Sequence, residues 1–181
     1  EKADLYFSVY DQVSRESGYA VRNAGSGGFA KTLFKTANIY NYVIKAENTD
    51  ELLVNRESQK ISQNIYYAKG FSSDLKMISN INPQQTDYIW SDVQLVKYHS
   101  IDGKPLEGLI YFPEELDKTK KYPMMVYFYE RDSDNLNRYW TPGPSRSIIN
   151  PNFYASNEYV VFIPDIVYEE GFPGKGAYNC I

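Results

Sequence analysis

The sequence predicts a mostly β protein that leads into the start of an α/β domain. Residues 1–89 are short segments rich in aromatic and β-branched side chains, separated by clusters of Gly, Ser, Asn and Asp. Tyrosine is abundant, with 18 among the 181 residues, and its side chain favours a half-buried pleated surface. After residue 120, two near-continuous apolar runs are typical of strands that an α/β sheet buries on both faces.

Five strands are predicted in the first half of the chain, at residues 5–10, 18–22, 39–44, 51–56 and 64–69. Their short, regular spacing indicates a β-sandwich or the blades of a β-propeller. A four-stranded blade takes about 40–45 residues, so residues 1–89 would supply roughly two blades. Because two blades cannot close a ring, we expect this region to be part of a larger β domain.

A polar connector at residues 80–85 precedes a predicted β-hairpin. Residues 93–100 and 106–112 have the pattern of two paired strands, with Asp102 and Gly103 between them. The dipeptide Asp-Gly favours a two-residue type I′ turn, because both central residues of that turn need a positive φ. Pro113 is expected to end the second strand, since proline has no N–H to donate to a neighbouring strand.

The two apolar runs cover residues 123–129 and 159–163. Their length favours strands over buried helices, and Pro164 directly after the second run marks its end. Residues 145–155 lie between the runs and are predicted to form a short helix or an ordered loop. This order of strand, connection and strand is the one expected at the start of an α/β domain.

Composition excludes several classes of function. The net charge is −4, and the acidic excess lies in residues 90–181, so neither half has the basic surface of a nucleic-acid-binding protein. No apolar run approaches the roughly 18 residues of a transmembrane helix. One cysteine, Cys180, cannot form an internal disulfide, and one Cys with one His cannot supply the four ligands of a structural zinc site. No metal and no cofactor are therefore predicted.

Two short motifs approach known functional loops, and each lacks an essential residue. Residues 25–32 have the spacing of a phosphate-binding loop, but Ala30 stands where the second glycine belongs. We interpret them as a glycine-rich surface loop between strands, with nucleotide binding as a remote alternative. Residues 143–147 place Ser145 in an incomplete Gly-x-Ser-x-Gly motif, which lacks its second glycine. Ser145 is therefore expected to be a loop residue or a helix N-cap.

His99 is the chain's single histidine, and it precedes the apolar runs. Hydrolases of the α/β type order their triad along the chain as serine, acid and histidine. Because no histidine follows any serine after residue 99, the chain cannot complete such a triad. We expect His99 to be a side chain at a sheet edge. Glu130, Asp132 and Asp134 form an acidic cluster around Arg131, but they lack the spacing of a calcium loop and indicate a solvated loop.

Tyr129 lies at the carboxyl end of the first apolar run, where α/β folds place their ligands and their chemistry. A phenol in that place can donate a hydrogen bond to a developing oxyanion, which contributes about 3–4 kcal/mol in known cases. Spacing alone favours a core position for this tyrosine. Both roles remain open on these grounds.

Several segments of the chain, taken in their order along the sequence, resemble segments of the prolyl oligopeptidase family of serine peptidases. The resemblance is greatest to the dipeptidyl-peptidase-like branch of that family. The start of the family's catalytic domain resembles residues 102–113, 120–123, 126–130, 145–150, 156–157, 162–166 and 171–174. The last part of its β-propeller resembles the upstream segments, including residues 56–58 and 81–85. The resemblance covers essentially the whole chain, and its specificity comes from the ordered series.

The resemblance implies terminal β-propeller blades over residues 1–89 and the N-terminal strands of an α/β-hydrolase domain over residues 90–181. It implies hydrolysis of peptide bonds, often after proline, through an acyl-enzyme. Tyr129 matches the family's oxyanion-hole tyrosine, with Tyr127 as the alternative if the register differs by two. The triad has no matching positions, so we expect it beyond Ile181 and expect the chain alone to be inactive.

The resemblance also implies which partners the chain has. These are a peptide substrate for the parent enzyme, the remaining part of the hydrolase domain and, because strand edges and apolar faces would be exposed, other copies of the chain. An extracytoplasmic location, in the periplasm or outside the cell, is favoured. The alternative from the residues alone is a non-catalytic, β-rich binding module that uses its many surface tyrosines.

Overall fold

The structure is a computed structural model that describes residues 3–181, and the chain divides into two compact units. The first unit contains the residues up to Gln85 together with Asn137–Tyr139. The second contains Thr86–Leu136 and Trp140–Ile181. Within the described residues, no helix is both long and apolar enough to cross a lipid bilayer.

The first unit is built from two antiparallel sheets, in which each strand pairs with the next one along the chain. Within residues 3–85, the first sheet has the order β1-β2-β3 and the second the order β4-β5-β6-β7. The bounds are β1 Asp4–Tyr10, β2 Ser17–Asn23, β3 Lys31–Thr36, β4 Ile39–Lys45, β5 Glu51–Ser58, β6 Ile61–Lys69 and β7 Lys76–Met77. The five predicted strands are confirmed.

Sequence reasoning missed β3 and β7. β3 reads KTLFKT, and its residues are mostly exposed, so it lacks the alternation that marks a strand with one buried face. β7 has two residues, which is too few for any periodicity. Both strands form because a neighbouring strand offers its edge, which is information that a local window of sequence does not contain.

Aromatic rings fill the core of the first unit. Tyr19 is buried, and its ring lies 5.8 Å from the ring of Phe34 and 5.2 Å from that of Phe71 in edge-to-face geometry. Tyr6 stacks on Phe71 at 3.9 Å, and Tyr40 lies 5.5 Å from Phe34. Such pairs contribute about 1 kcal/mol each beyond the area that they bury. Three tyrosines of this unit, Tyr6, Tyr19 and Tyr40, therefore take part in packing its two sheets against each other.

A mixed sheet of the order β10-β11-β9-β8 forms the second unit's framework. Its strands are β8 Ser91–His99, β9 Pro105–Pro113, β10 Met124–Val126 and β11 Val160–Pro164. β10 and β11 are parallel, whereas β9 is antiparallel to both of its neighbours. The parallel pair requires a crossover connection, which here contains helix α1, Pro151–Ala155. Helix α2, Pro173–Cys180, follows β11.

Helices cover both faces of this sheet. Residues on one face, including Leu109, Tyr111 and Val161, pack with Ala155 of α1 into a buried cluster. On the other face, Leu106 packs with Cys180 of α2 and with neighbouring side chains. Alternate residues of β9 thus point to opposite, covered faces, which is the layered arrangement of an α/β fold. The predicted short helix within residues 145–155 is confirmed as α1.

The predicted hairpin of β8 and β9 is confirmed, but its turn type is wrong. The N–H of Gly103 donates to the carbonyl oxygen of Ser100 at 2.9 Å, so Ile101 and Asp102 are the central turn residues. Of residues 101–103, Gly103 is the one with a positive φ, of 82°. The Asp102 carboxylate accepts hydrogen bonds from Lys104 and Ser100, which lower its pKa to about 2. These local contacts favour a longer loop over the two-residue type I′ turn.

The prediction that the first apolar run is buried on both faces is also wrong. Only Met124–Val126 are in β10, and Met124 is 56% exposed and Val126 41% exposed. The reason is position, because β10 lies at the edge of the sheet formed by the described residues. β11, in an interior position, has the expected burial, with Val161 fully buried.

We predict that Gly18→Ala destabilises the first unit. A Cβ atom at residue 18 would lie 1.9 Å from the carbonyl oxygen of Phe34 in the adjacent strand, so the strands would have to move apart. The expected loss is about 3 kcal/mol in the free energy of unfolding. Gly27→Ala is the control, since nothing lies within 4 Å of its Cβ position. Chemical unfolding followed by far-ultraviolet circular dichroism measures both, and equal stabilities would contradict the prediction.

Candidate functional site

The carboxyl ends of β10 and β11 lie side by side, because the two strands are parallel and pair in register from Met124–Val160 to Val126–Phe162. The chain that leaves β10 and the chain that leaves β11 therefore emerge at the same edge of the sheet. We call residues 129–135 the Tyr129 loop and residues 165–168 the Asp165 segment. These two stretches form the candidate site.

Tyr129 points into solvent, with 71% of its surface exposed. The pairing of the strands continues one residue beyond β10, since the N–H of Tyr127 donates to the carbonyl oxygen of Phe162 at 3.0 Å. Tyr127 is partly buried and packs against the core cluster of the sheet. The prediction from spacing that Tyr129 lies in the core is therefore wrong within the described residues. Tyr127 packs against the core instead.

A buried carboxylate connects the Asp165 segment to the Tyr129 loop. Asp165 is 9% exposed, and its Oδ1 accepts hydrogen bonds from the N–H groups of Asp132 and Ser133, both at 2.8 Å. Its Oδ2 accepts a hydrogen bond from the Ser133 hydroxyl at 2.6 Å. Charge-assisted bonds of this kind are stronger than neutral ones. Asp165 thus fixes the start of the short 3-10 helix Ser133–Asn135.

The beginning of the Tyr129 loop makes two further bonds to the same segment. The N–H of Ile166 donates to the carbonyl oxygen of Glu130 at 2.9 Å. The hydroxyl of Tyr168 donates to the carbonyl oxygen of Tyr129. The loop backbone is therefore bonded to the Asp165 segment on both sides of residue 131, while the Tyr129 side chain remains outside these contacts.

Two depressions open at this edge of the second unit. A pocket of about 170 Å³ is lined by Tyr129 and by apolar side chains that include Trp140 and Ile149. A larger depression of about 540 Å³ is lined by charged residues of both signs, among them Arg131 and Asp165, and also by His99. Tyr129 does not line the larger one.

Residues 25–30 of the glycine-rich motif are confirmed as a surface loop, and residues 31 and 32 begin β3. The loop connects the antiparallel strands β2 and β3, and its residues are exposed. A phosphate-binding loop requires a helix directly after it, and here a strand follows. The geometry removes the reason for considering nucleotide binding.

The remaining sequence candidates, Ser145 and His99, are both exposed side chains. Ser145 is an exposed loop residue, and the N-cap of α1 is Asn150, whose side chain accepts a hydrogen bond from the N–H of Phe153 at 3.1 Å. His99 ends the edge strand β8 and is exposed, which confirms its predicted location.

The acidic cluster is confirmed as a loop after a strand. Arg131 forms an ion pair with Asp134 at 3.1 Å, and both side chains are substantially exposed, so this pair contributes little to stability. Among the described residues, no group of three or more His, Cys, Asp or Glu side chains has the arrangement of a metal site.

Sequence reasoning missed Asp165, Ser133 and Tyr168 as a connected group. The available signal was an aspartate directly after a buried strand, where a carboxylate commonly bonds to a neighbouring loop. Its partners lie more than 30 positions earlier in the chain, so no local motif joins them.

Tyr98, on β8, is a titratable group of the second unit whose pKa is strongly shifted. Burial, as the largest cause, acts together with the neighbouring Cys180 and Asp165 to raise the pKa of its phenol to about 12. Its hydroxyl donates to the carbonyl oxygen of Cys180 at 2.9 Å and so joins β8 to the end of α2.

In sequence, the chain is distantly similar to a known peptidase. No protein-family model matches the chain. Over 124 residues, the chain is 28% identical to dipeptidyl-peptidase 5 of Aspergillus fumigatus, in each of two strains, and the match covers 67% of this chain and 16% of the relative. The chain thus spans about a sixth of the curated relatives that it matches.

Solved structures share the fold. The AtxE2 isopeptidase aligns with a TM-score of 0.67 as a variant with astexin3-dC4 bound and 0.66 without ligand, at 14% identity, covering 92% of this chain and 24% of the other. Dipeptidyl peptidase 4 of Porphyromonas gingivalis aligns with a TM-score of 0.54, also at 14% identity, covering 91% of this chain and 23% of the other. The chain therefore resembles peptidases in sequence over two thirds of its length and in fold over nine tenths of it.

We predict that Tyr98 makes the second unit less stable in strong alkali. Below pH 10 the phenol is protonated in both the folded and the unfolded state, so its contribution is constant. As the pH rises from about 10 to about 12, the unfolded chain loses this proton first, and the free energy of unfolding falls. In Tyr98→Phe this part of the fall is absent, although the lost hydrogen bond lowers stability by about 1 kcal/mol at all pH values.

Urea unfolding followed by tryptophan fluorescence tests this pH dependence, because both tryptophans, Trp90 and Trp140, belong to the second unit. Tyr178→Phe is the control, since this tyrosine on α2 is 72% exposed. An identical alkaline decline in Tyr98→Phe and in the parent chain would assign the effect to another group.

Proposed function

We propose that this chain is part of a serine peptidase of the prolyl oligopeptidase family, in its dipeptidyl-peptidase-like branch. In this proposal the first unit supplies the last blades of a β-propeller, and the second supplies the first strands of an α/β-hydrolase domain. The three-stranded and four-stranded meanders of the first unit support the propeller assignment. The mixed sheet with helices on both faces supports the hydrolase assignment.

The observation that carries the proposal is the position of Tyr129. Its exposed phenol lies on a loop whose backbone is hydrogen-bonded to the Asp165 segment, at the carboxyl edge of a parallel strand pair. The relatives of the chain are peptidases. Ligands and catalytic groups of open α/β sheets collect at this edge.

The chemistry assigned to Tyr129 is stabilisation of the oxyanion. In peptide hydrolysis by a serine peptidase, the serine oxygen attacks the carbonyl carbon, and negative charge develops on the carbonyl oxygen. The O–H of Tyr129 would donate a hydrogen bond to that oxygen. The bond acts mainly in the transition state, because the charge is small before the attack.

The proposal assigns the serine, the acid and the histidine of the triad to residues outside these 181. His99 supports this assignment, because it is exposed on an edge strand and the sequence contains no other histidine. The alternative, a tyrosine-rich binding module, has fewer surface rings than the composition suggests, because Tyr19 and Tyr40 pack against other aromatic side chains, whereas Tyr42 is exposed.

We predict that the 181-residue chain alone does not hydrolyse chromogenic dipeptide anilides that carry proline before the anilide. The physical reason is the missing nucleophile and general base, without which no acyl-enzyme forms. The measurement is release of the chromophore, with the complete peptidase as the positive control. Turnover by the isolated chain that a serine-directed phosphonate abolishes would sink this part of the proposal.

In the complete peptidase, we predict that Tyr129→Phe lowers kcat by about 10²–10³ and changes KM little, because one oxyanion donor is lost. Tyr178→Phe is the matched control, since the two tyrosines are 71% and 72% exposed. An unchanged kcat in Tyr129→Phe would remove Tyr129 from the site, and Tyr127→Phe would then test the alternative register.

A further inference from the structure

We infer that Asp165 is a positioning residue, which sets the location of the Tyr129 phenol by fixing the backbone of the Tyr129 loop. This inference rests on the proposed function, because it gives Asp165 its role through Tyr129. Asp165 is not assigned a contact with substrate. Its carboxylate is buried, and its bonds go to the loop.

The first observation is that both oxygens of this buried carboxylate are used by adjacent loop residues. Oδ1 accepts the N–H groups of Asp132 and Ser133, and Oδ2 accepts the hydroxyl of Ser133, which is itself fully buried. Removing the carboxylate would leave these donors without their acceptor inside the protein, which is costly for buried groups. The loop would therefore rearrange to reach water or another acceptor.

The second observation is that the same segment also bonds the loop at Tyr129 itself. Ile166 N–H donates to the carbonyl oxygen of Glu130, and the Tyr168 hydroxyl donates to the carbonyl oxygen of Tyr129. The bond at the Tyr129 carbonyl fixes the peptide unit that follows the Cα atom of Tyr129, and the bond at the Glu130 carbonyl fixes the next peptide unit along the loop. The location of the phenol then depends on the side-chain torsions of one residue.

The third observation is the contrast within the loop between a fixed backbone and an exposed side chain. The backbone makes bonds at residues 129, 130, 132 and 133, whereas the Tyr129 side chain is 71% exposed. A donor that stabilises an oxyanion acts best when it is already in place before charge develops. A displacement of about 1 Å can cost as much as about 10² in rate. Asp165 therefore affects the chemical step through geometry.

A purely structural role for Asp165 would have a different signature. It would lower the amount of folded enzyme, or substrate binding and turnover together. A positioning role lowers kcat for each active site, leaves KM nearly unchanged and requires the Tyr129 hydroxyl. A double-mutant cycle between the two residues separates these cases.

The test uses the complete peptidase with a proline-containing chromogenic dipeptide, and kcat is calculated per active site titrated with a serine-directed phosphonate. We expect Asp165→Ala to lower kcat by about 10-fold to 100-fold and to change KM less than about twofold. In the Tyr129→Phe background, we expect the same change to lower kcat less than about twofold further, because the donor to be positioned is already absent.

Two milder variants keep the inference testable if Asp165→Ala does not fold. Ser133→Ala removes the bond to Oδ2 and leaves both backbone donors in place. Tyr168→Phe removes a single hydroxyl from a side chain that is 44% exposed. Each change should lower kcat by about threefold to tenfold in the parent enzyme. Neither should lower kcat further in a double variant that also carries Tyr129→Phe. As a control, Tyr178→Phe on α2 should change neither kcat nor KM.

The outcomes separate this inference from the proposed function. If the Asp165 and Ser133 changes lower kcat in the parent but add nothing in the Tyr129→Phe background, the positioning role is supported, whereas an unchanged kcat in Asp165→Ala overturns it. If the losses multiply in full, Asp165 acts independently of Tyr129, and the inference is overturned while the proposed function stands. If Tyr129→Phe leaves kcat unchanged, the role of Tyr129 in the proposed function fails, and the inference fails with it.

Discussion

The parallel pairing of β10 with β11 is the constraint on which the second unit depends. Two parallel neighbours need a crossover connection, and here that connection contains α1 and covers one face of the sheet. Parallel pairing also brings both carboxyl ends to one edge, so the chain segments that leave them emerge side by side. An antiparallel arrangement of the same strands would place the Tyr129 loop and the Asp165 segment at opposite edges. The contact between them follows from strand direction.

The two units use their apolar residues in different ways. In the first, ring contacts such as that of Tyr19 with Phe71 bring two antiparallel meanders into contact. In the second, Val161, Leu109 and the fully buried Tyr111 form a layer between sheet and helix. The candidate site is built around a polar group, since a buried carboxylate directs the loop and leaves a phenol exposed. A buried carboxylate requires donors that satisfy it, and this requirement specifies one loop conformation.

Much of the strand content could be predicted from the sequence, because it depends on local pattern. The alternating segments of the first half and the hairpin that Pro113 ends were found in this way. Prediction failed where a neighbour decides. β3 has a weak pattern and forms against β2, and the apolar run at Met124–Val126 indicated full burial but lies at a sheet edge. For the candidate site, the sequence placed Tyr129 at a strand end, but it could not reveal which partners fix its loop.

The sequence by itself determined five strands of the first half, the hairpin of β8 and β9, the presence of a single histidine and the position of a tyrosine after an apolar run. These features depend on residue type and on spacing over a few positions. Only the tertiary structure decided that Tyr129 is exposed while Tyr127 faces the core, and that Asp165 bonds to Asp132 and Ser133. The physical reason is that burial and hydrogen bonding depend on which segments become neighbours, and the pairing of β10 with β11 joins segments that are more than 30 residues apart.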